Sequence, residues 1–573
     1  MTKFLIGLVT GILLTVLTGV LLVFSLARLG GDRPTAIADG STLMLDLEGE
    51  IPERAPIELP LPFLEQQTPV TVRDVWELLR KAAADSRIKA VVLAPRDVAI
   101  GWAKMQEIHS CLLEFKKSGK PLVAYLKSPG TREYYLATAA DQIYMAPEDF
   151  LNMKGLRAEL MFFRRTLDKL GVQVEIEHAG KYKDFGDMFV REKMSPETRE
   201  VLDSILDAVY ANLADAVAAG RKQTPAQVRA TIDEGPFLAR QAKEKRLVDD
   251  LIYEDQMFAR VMARAKLDEI RKVAYREYAK VRPGSVGLEG PARIAFLVGE
   301  GPILRGSAGD DGFDEDAIGS EGFNKLLRRV GDDESIRGVV VRIDSPGGDA
   351  IASDDIWREM SLLSKKKPLV VSMSDTAASG GYYIAMTGDP VLAYPGTITG
   401  SIGVVFGKAN LKGLYDKIGI TKDVLVRGRY ADIDSDYQPL TEAARRKLRE
   451  GIDSTYHTFV ERVALARKRK YEEVEPLAQG RAWLGSQARQ KGLIDELGGI
   501  DRALDMVKQK ARIGRTEKVT IVTYPPRRSL FDIWLGRTPE AAVLKKLGLD
   551  AWPARLLGRG GLLRVMPYRI DIR

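Results

Sequence analysis

The chain has 573 residues, 45% of them apolar and 29% charged, with a formal charge of +7. That length exceeds one ordinary core and implies two or more domains, while the composition excludes wholesale disorder. Basic and acidic residues are interleaved, so no nucleic-acid footprint emerges, and the single cysteine, Cys111, excludes a disulfide framework and a multi-cysteine metal site. Cys111 itself reads as a core residue of a helix. No Walker-type phosphate loop is present, and neither a cofactor nor a metal is expected.

Taken in chain order, the first element is apolar. Residues 4–27 carry no charge and lie between Lys3 and Arg28. A run of that length matches the hydrocarbon thickness of a bilayer, where about 20 residues suffice, so residues 1–33 are read as a retained membrane anchor. A cleaved signal peptide ending at Ser25-Leu26-Ala27 competes, but its apolar stretch would be too long. Gly7, Gly11, Thr15 and Gly19 form a stripe of small residues at helical spacing. Lys3 on one side and Arg28 and Arg33 on the other leave orientation open on charge alone.

Residues 42–285 and 291–525 repeat one design. "TLMLDLEGEIPE" and "ARIAFLVGEGPILRG" open the two copies as strands ending in Gly-Glu. "DSRIKAVVL" is matched by "DESIRGVVV", "GKPLVAYL" by "KKPLVVSM", and "LGVQVEIEHAGKYKDF" by "IGITKDVLVRGRYADI". Strands alternate with helical segments such as 354–364 and 442–468, which predicts βα units around a mostly parallel sheet in each copy. "KVRPGSVGLEGPAR" reads as the linker, "GSAGDDGFDEDAIGSEG" as a mobile surface loop, and 526–573 as a tail that lies against lipid, a neighbouring subunit or its own domain. The pairs Tyr134/Tyr382, Pro147/Pro395, Gly171/Gly419 and Gly180/Gly428 share a constant offset of 248 residues, so the copies can be compared position by position.

That comparison isolates chemistry. Ser379 in "TAASGGYYIA" falls opposite Thr131, and Gly380 falls opposite Arg132. "DSPGGD", with Gly347 and Gly348, stands where the first copy has the bulkier "APRDVA". Glycines at a strand end let backbone N–H groups face a ligand, so Gly348 and Gly380 are candidates for an oxyanion hole around a Ser379 nucleophile, with Gly347 as the alternative to Gly348. A helix beginning after Ser379 would add its dipole.

The base is less obvious. His109 and His457 sit on predicted helices and His178 faces Val426 in the repeat, so a histidine triad finds no support. Lys183 in "GKYKDF", by contrast, falls opposite Ala431, whereas its neighbour Lys181 falls opposite another cation, Arg429. One copy keeps a lysine and the other a serine, which predicts one composite site where they meet. A lysine near its usual pKa of about 10.4 is protonated at neutral pH; burial must lower that value before the amine can accept a proton. Ser401 in "TITGSIGV", opposite Met153, is the expected hydroxyl that orients it.

"DSPGGD", "ASGGYYIA" and "TGSIGV" with "GKYKDF" resemble the long tandem form of the bacterial signal peptide peptidase (protease IV) family. The resemblance implies two Clp-protease/crotonase-like α/β domains after a transmembrane helix, and a serine peptidase with nucleophile Ser379, base Lys183 and lysine-orienting Ser401. It also implies an oxyanion hole at Gly380 and Gly348 or Gly347, a homotetramer, and attachment to the cytoplasmic (inner) membrane with the catalytic domains on the outer, periplasmic face. Signal-peptide remnants and other apolar peptides are the implied substrates. An inactive membrane scaffold of the same fold and a crotonase-like acyl-CoA enzyme are the competing readings.

Overall fold

The computed structural model describes residues 37–55, 69–307, 317–526 and 562–566, with five single positions in the N-terminal apolar run. The expected anchor lies outside this set, and among the described residues no helix is long and apolar enough to cross a membrane.

The first copy builds a six-stranded sheet from β1 (Ser41–Gly49), β2 (Ile88–Val98), β3 (Leu122–Leu126), β4 (Gln142–Met145), β6 (Asp250–Leu251) and β7 (Arg271–Ala274), in the order β6-β4-β3-β2-β1-β7. Every pairing in it is parallel. Its remaining labelled strand, β5 (Gln173–Ala179), leaves this sheet altogether. The second copy repeats the plan with β8 (Ala292–Glu300), β11 (Ile336–Ser345), β13 (Leu369–Ala378), β15 (Ile398–Gly400), β17 (Ala482–Leu484) and β19 (Val519–Tyr524), ordered β17-β15-β13-β11-β8-β19, with β14 (Val391–Ala393) paired to β13 and β18 (Glu496–Leu497) paired to β14. The unbroken apolar runs of β2 and β11 follow from this architecture, because helices cover both faces of a parallel sheet. Leu93, Val92, Val340 and Val341 are all fully buried.

The repeat persists in detail. Two 26-residue helices, Pro196–Arg221 and Glu442–Arg467, occupy corresponding places. Each ends on a lysine in the left-handed conformation, Lys222 and Lys468, both at φ 53°. Tyr134 donates its hydroxyl to Leu247 O at 2.7 Å, and Tyr382 does the same to Leu493 O at 2.7 Å.

A third sheet joins the copies. It contains β9 (Ile303–Leu304), β10 (Ile318–Gly319), β12 (Gly347–Asp349), β16 (Val404–Asn410), β20 (Leu563–Val565) and the first copy's β5, in the order β10-β9-β12-β20-β16-β5. β5 and β16 run antiparallel over seven residue pairs, from Val404 opposite Ala179 to Asn410 opposite Gln173. One expectation changes here. The glycine-rich loop read as wholly superficial ends in buried structure, because Ala317, Ile318 and Ser320 are enclosed where β10 meets the next helix. The second-copy segment 421–427, the repeat partner of β5, forms no strand and leaves Leu425 exposed.

The copies also meet through a buried polar cluster. Arg342 on β11 donates to Glu53 Oε1 at 2.7 Å, to Glu107 Oε2, and to Ser372 Oγ at 2.9 Å, and it is wholly buried. Beside it Lys104 pairs with Asp344 at 2.8 Å, and Asp375 on β13 accepts from the Gly101 and Lys104 N–H groups at 2.8 Å each. Isolated charges would not survive such burial; these are mutually compensated. The strand that ends at Ser379 is thereby clamped to the first copy. Replacing Arg342 by Met is expected to destabilise the fold by about 3–5 kcal/mol, because Glu53 and Glu107 are left buried together without their cation. Chemical denaturation of the variant checks this, and an unchanged midpoint contradicts it.

Candidate active site

Strand register brings the expected residues together. β13 and β15 are parallel neighbours with Ala378 opposite Gly400, so the next residue of each, Ser379 and Ser401, emerge side by side. The cross-copy pairing of β5 with β16 then delivers Lys183, four residues past β5, to the same point. The amine of Lys183 lies 2.8 Å from Ser379 Oγ, 3.0 Å from Ser401 Oγ and 2.9 Å from the Ser401 carbonyl oxygen. All three residues are completely buried. The three residues singled out from the sequence are thus brought together, although they lie up to 218 positions apart.

Two glycines that sequence reasoning missed admit the lysine stem. A Cβ on Gly403 would stand 3.0 Å from Lys183 Cδ, and one on Gly480 only 2.6 Å from Lys183 Cβ. Gly480 also has φ +76°, where a side chain is strained in any case. A lone turn glycine carries no chemical signature, and only packing reveals these two.

Ser379 adopts φ 54°, ψ −113°, a conformation that a non-glycine residue holds only under constraint from its surroundings. Its N–H donates to Gly400 O at 2.7 Å and its carbonyl accepts from Tyr383 N–H at 2.8 Å, which fixes the sharp turn from β13 into the short helix Gly380–Ile384. The hydroxyl is thus pinned toward Lys183. The histidines have other surroundings: His109 contacts Thr138 Oγ1 at 3.0 Å, His178 contacts Gly180 O at 3.0 Å, and His457 faces Glu461. Among the described residues, no cluster of His, Cys, Asp or Glu could hold a metal ion. Cys111 is buried, as expected.

The glycines form a recess in front of Ser379. Gly347 has φ +95°, and a Cβ there would lie 2.1 Å from Arg564 O and 2.6 Å from Gly380 N. Its own N–H donates to Ser345 Oγ at 3.2 Å. Gly348 lies opposite Arg564 in the β12–β20 ladder. Flanking bonds run from Met566 N–H to Pro346 O at 2.7 Å and from Ala350 N–H to Leu562 O at 3.1 Å. The alternation of an antiparallel ladder makes the intervening Gly348/Arg564 couple a hydrogen-bonded pair as well. Of the two neighbouring glycines, Gly348 therefore presents its N–H to a carbonyl at this spot, whereas that of Gly347 is already engaged.

The first copy shows what fills the corresponding recess when chemistry is absent. Glu133, opposite Gly381, turns its buried carboxylate back to accept from Val98 N–H at 2.7 Å and Gly130 N–H at 2.9 Å. Val98 is the repeat partner of Gly348 in the "APRDVA"/"DSPGGD" match. A side-chain carboxylate fills the first copy's recess; in the second copy the backbone carbonyl of Arg564 lies against the glycines instead.

Electrostatics favour a neutral amine. Burial drives the Lys183 pKa well below its ordinary value; the adjacent Asp184 opposes that shift and Arg564 reinforces it. Asp184 is itself pushed up to about 6 by burial, against a hydrogen bond from Thr198, which weakens its opposition. A neutral amine has two N–H donors and one lone pair. The two Ser401 oxygens match the donors, and the lone pair is left to the Ser379 hydroxyl.

The linkage to stability has a definite sign. An amine that is neutral in the native state and charged when unfolded gives the unfolded state the extra proton between the two pKa values, so stability rises with pH across that window. Lys183→Met is therefore expected to unfold at higher urea concentration than the parent at pH 7. That gain should shrink as pH approaches the free-lysine value of about 10.4. A variant less stable at every pH would contradict the assignment.

The model for Peptidase family S49 matches the chain twice, at residues 114–268 and 361–514. The chain is 35% identical over 508 residues to "Serine protease SPPA, chloroplastic" of Arabidopsis thaliana, covering 87% of this chain and 74% of that protein. It is 30% identical over 506 residues to "Protease 4" of Haemophilus influenzae, covering 84% and 80%. "Putative signal peptide peptidase SppA" of Enterococcus faecium is 31% identical over 265 residues, 44% of this chain and 76% of that protein. Among solved structures, ClpP1 from Listeria monocytogenes aligns with a TM-score of 0.22 and 15% identity over 36% of this chain and 91% of that one.

Proposed function

The chain belongs to Peptidase family S49 and is a serine peptidase with two tandem copies of the family's domain; from that premise we propose that it is a membrane-anchored endopeptidase working through a Ser379/Lys183 dyad on signal-peptide remnants and other apolar peptides. The observation that carries the dyad is the 2.8 Å approach of a fully buried lysine amine to a fully buried serine hydroxyl.

In this reading the neutral Lys183 amine removes the Ser379 proton as Oγ attacks the scissile carbonyl. The oxygen that becomes negative is held by the N–H groups of Gly348 and Gly380, with the start of the Gly380–Ile384 helix behind them. Lys183, now an ammonium, passes the proton to the departing amine. Water then attacks the acyl-serine, with Lys183 again taking the proton, and Ser379 is regenerated. Ser401 holds the amine in line throughout. The acyl-CoA alternative leaves a buried lysine beside the serine without a task, and the inactive scaffold does not account for a recess kept free of the carboxylate that fills its counterpart.

Membrane attachment rests on the uncharged run of residues 4–27. The inner membrane, with the catalytic part on its outer face, is where such an anchor would meet remnant signal peptides. The homotetramer has support from exposed segments beside the inter-copy sheet. β5 pairs with β16 inside the chain, but their repeat partners, 421–427 and 156–162, form no strands. Met161 is 72% and Leu425 88% exposed. Exposed apolar segments of this kind invite pairing. Segment 421–427 of one subunit pairing with 156–162 of the next would repeat the internal junction around a closed ring.

Ser379→Ala and Lys183→Ala are each expected to lose at least about a thousandfold in peptide kcat/KM while remaining folded. Ser401→Ala should lower kcat by about a hundredfold and leave KM nearly unchanged, because it positions the base rather than binding substrate. Hydrolysis of a fluorogenic apolar peptide, with circular dichroism as the folding control, measures all three. Parental turnover in the Ser379 or Lys183 variant would refute the dyad.

A further inference from the structure

Strand β20 enters the recess as a peptide substrate would. It lies between β12 and β16, antiparallel to both, with Gly347 opposite Val565 and Val405 opposite Leu563. The Arg564 carbonyl oxygen points at the Gly347–Gly380 backbone, so closely that a Cβ on either glycine would approach it to 2.1 or 3.0 Å. The residue whose carbonyl occupies an oxyanion hole is the one on the acyl side of the bond to be cut. Along this strand that residue is Arg564, and the bond is Arg564–Val565.

The side chains alternate as a strand requires. Leu563 and Val565 settle in an apolar trough with Phe185, Leu304 and Val405. Arg564 turns the other way and is buried, 3% exposed. Its guanidinium lies over the Tyr383 ring at 3.7 Å and near the Phe459 ring at 5.3 Å. Nη1 donates to Ala350 O at 3.1 Å. Burial holds the Arg564 guanidinium below its ordinary pKa; Tyr383 and the Asp354 carboxylate, which accepts from the Tyr383 hydroxyl, oppose that shift, and the cation of Arg462, stacked on Trp357, reinforces it. Two aromatic faces, a backbone carbonyl and a nearby carboxylate suit a flat cation better than an aliphatic side chain.

We propose that the pocket between Tyr383, Phe459, Ala350 and Asp354 binds the substrate side chain on the acyl side of the scissile bond and selects arginine there, with apolar residues on either side of it. This rests on the peptidase reading above and adds the residue class at the cut. The chain's own β20 is then a resident occupant that incoming peptides displace.

The test uses the full chain in detergent and internally quenched peptides of the form Leu-X-Val, with X as arginine, citrulline or leucine. Citrulline keeps the shape of arginine and removes its charge. The arginine peptide is expected to exceed the citrulline peptide in kcat/KM by about tenfold or more, the discrimination appropriate to a desolvated cation on aromatic rings. Asp354→Asn should reduce that ratio. Arg564→Ala, which empties the pocket of the tail's own side chain, should lower KM for the arginine peptide. Equal cleavage of the arginine and citrulline peptides by the parent, or a KM unmoved by Arg564→Ala, overturns the pocket assignment alone. Failure to cleave any of the peptides, together with failure of a fluorophosphonate to label Ser379, overturns the peptidase mechanism beneath it.

Discussion

The contact between the Lys183 amine and the Ser379 hydroxyl is the constraint around which the molecule is arranged. It joins residues 196 positions apart, and it forms only while the two copies are docked. Burial pushes the pKa of this amine well below its ordinary value. The β5–β16 ladder fixes the lysine's approach and the β13–β15 register fixes the two serines. The Arg342 and Asp375 clusters stop the copies from sliding past one another. The Lys183–Ser379 geometry and inter-copy docking are therefore one structural problem.

Duplication explains how such a site can be assembled from ordinary parts. The two sheets, the paired 26-residue helices and the tyrosine hydroxyl contacts remain nearly superposable in plan. Chemistry has been divided between them. The first copy has lost the glycine recess, which Glu133 fills, and contributes a lysine. The second copy has kept the recess and serine, and has alanine where the lysine would be. Lys183 comes from the first copy and Ser379 from the second, so separating the halves breaks their contact.

Much of this was legible in the sequence because a repeat supplies its own comparison. A fixed offset turned Lys183 against Ala431 and Ser379 against Thr131 into visible exceptions, and the same offset disqualified His178. Alternating strands and helices gave the two-sheet plan. Other features depend on which surfaces meet, and sequence periodicity carries no record of that. The third sheet draws strands from three distant stretches of the chain, and Gly403 and Gly480 matter only because the lysine stem passes them. The arginine-rich text around Arg564 reads as a generic tail until its carbonyl is seen against Gly347. The segment 421–427 matches β5 in sequence position yet forms no strand, which the repeat alone does not reveal.

A direct titration of Lys183 tests the central claim. With lysine 13Cε labels and Lys183→Arg for assignment, the account expects the Lys183 resonance in the folded enzyme to titrate well below the free-lysine value of about 10.4. It also expects that resonance to lose its early titration when the protein is unfolded in urea. A Lys183 signal that moves with the rest in the native protein would show an ordinary solvated ammonium, and the mechanism would fall with it.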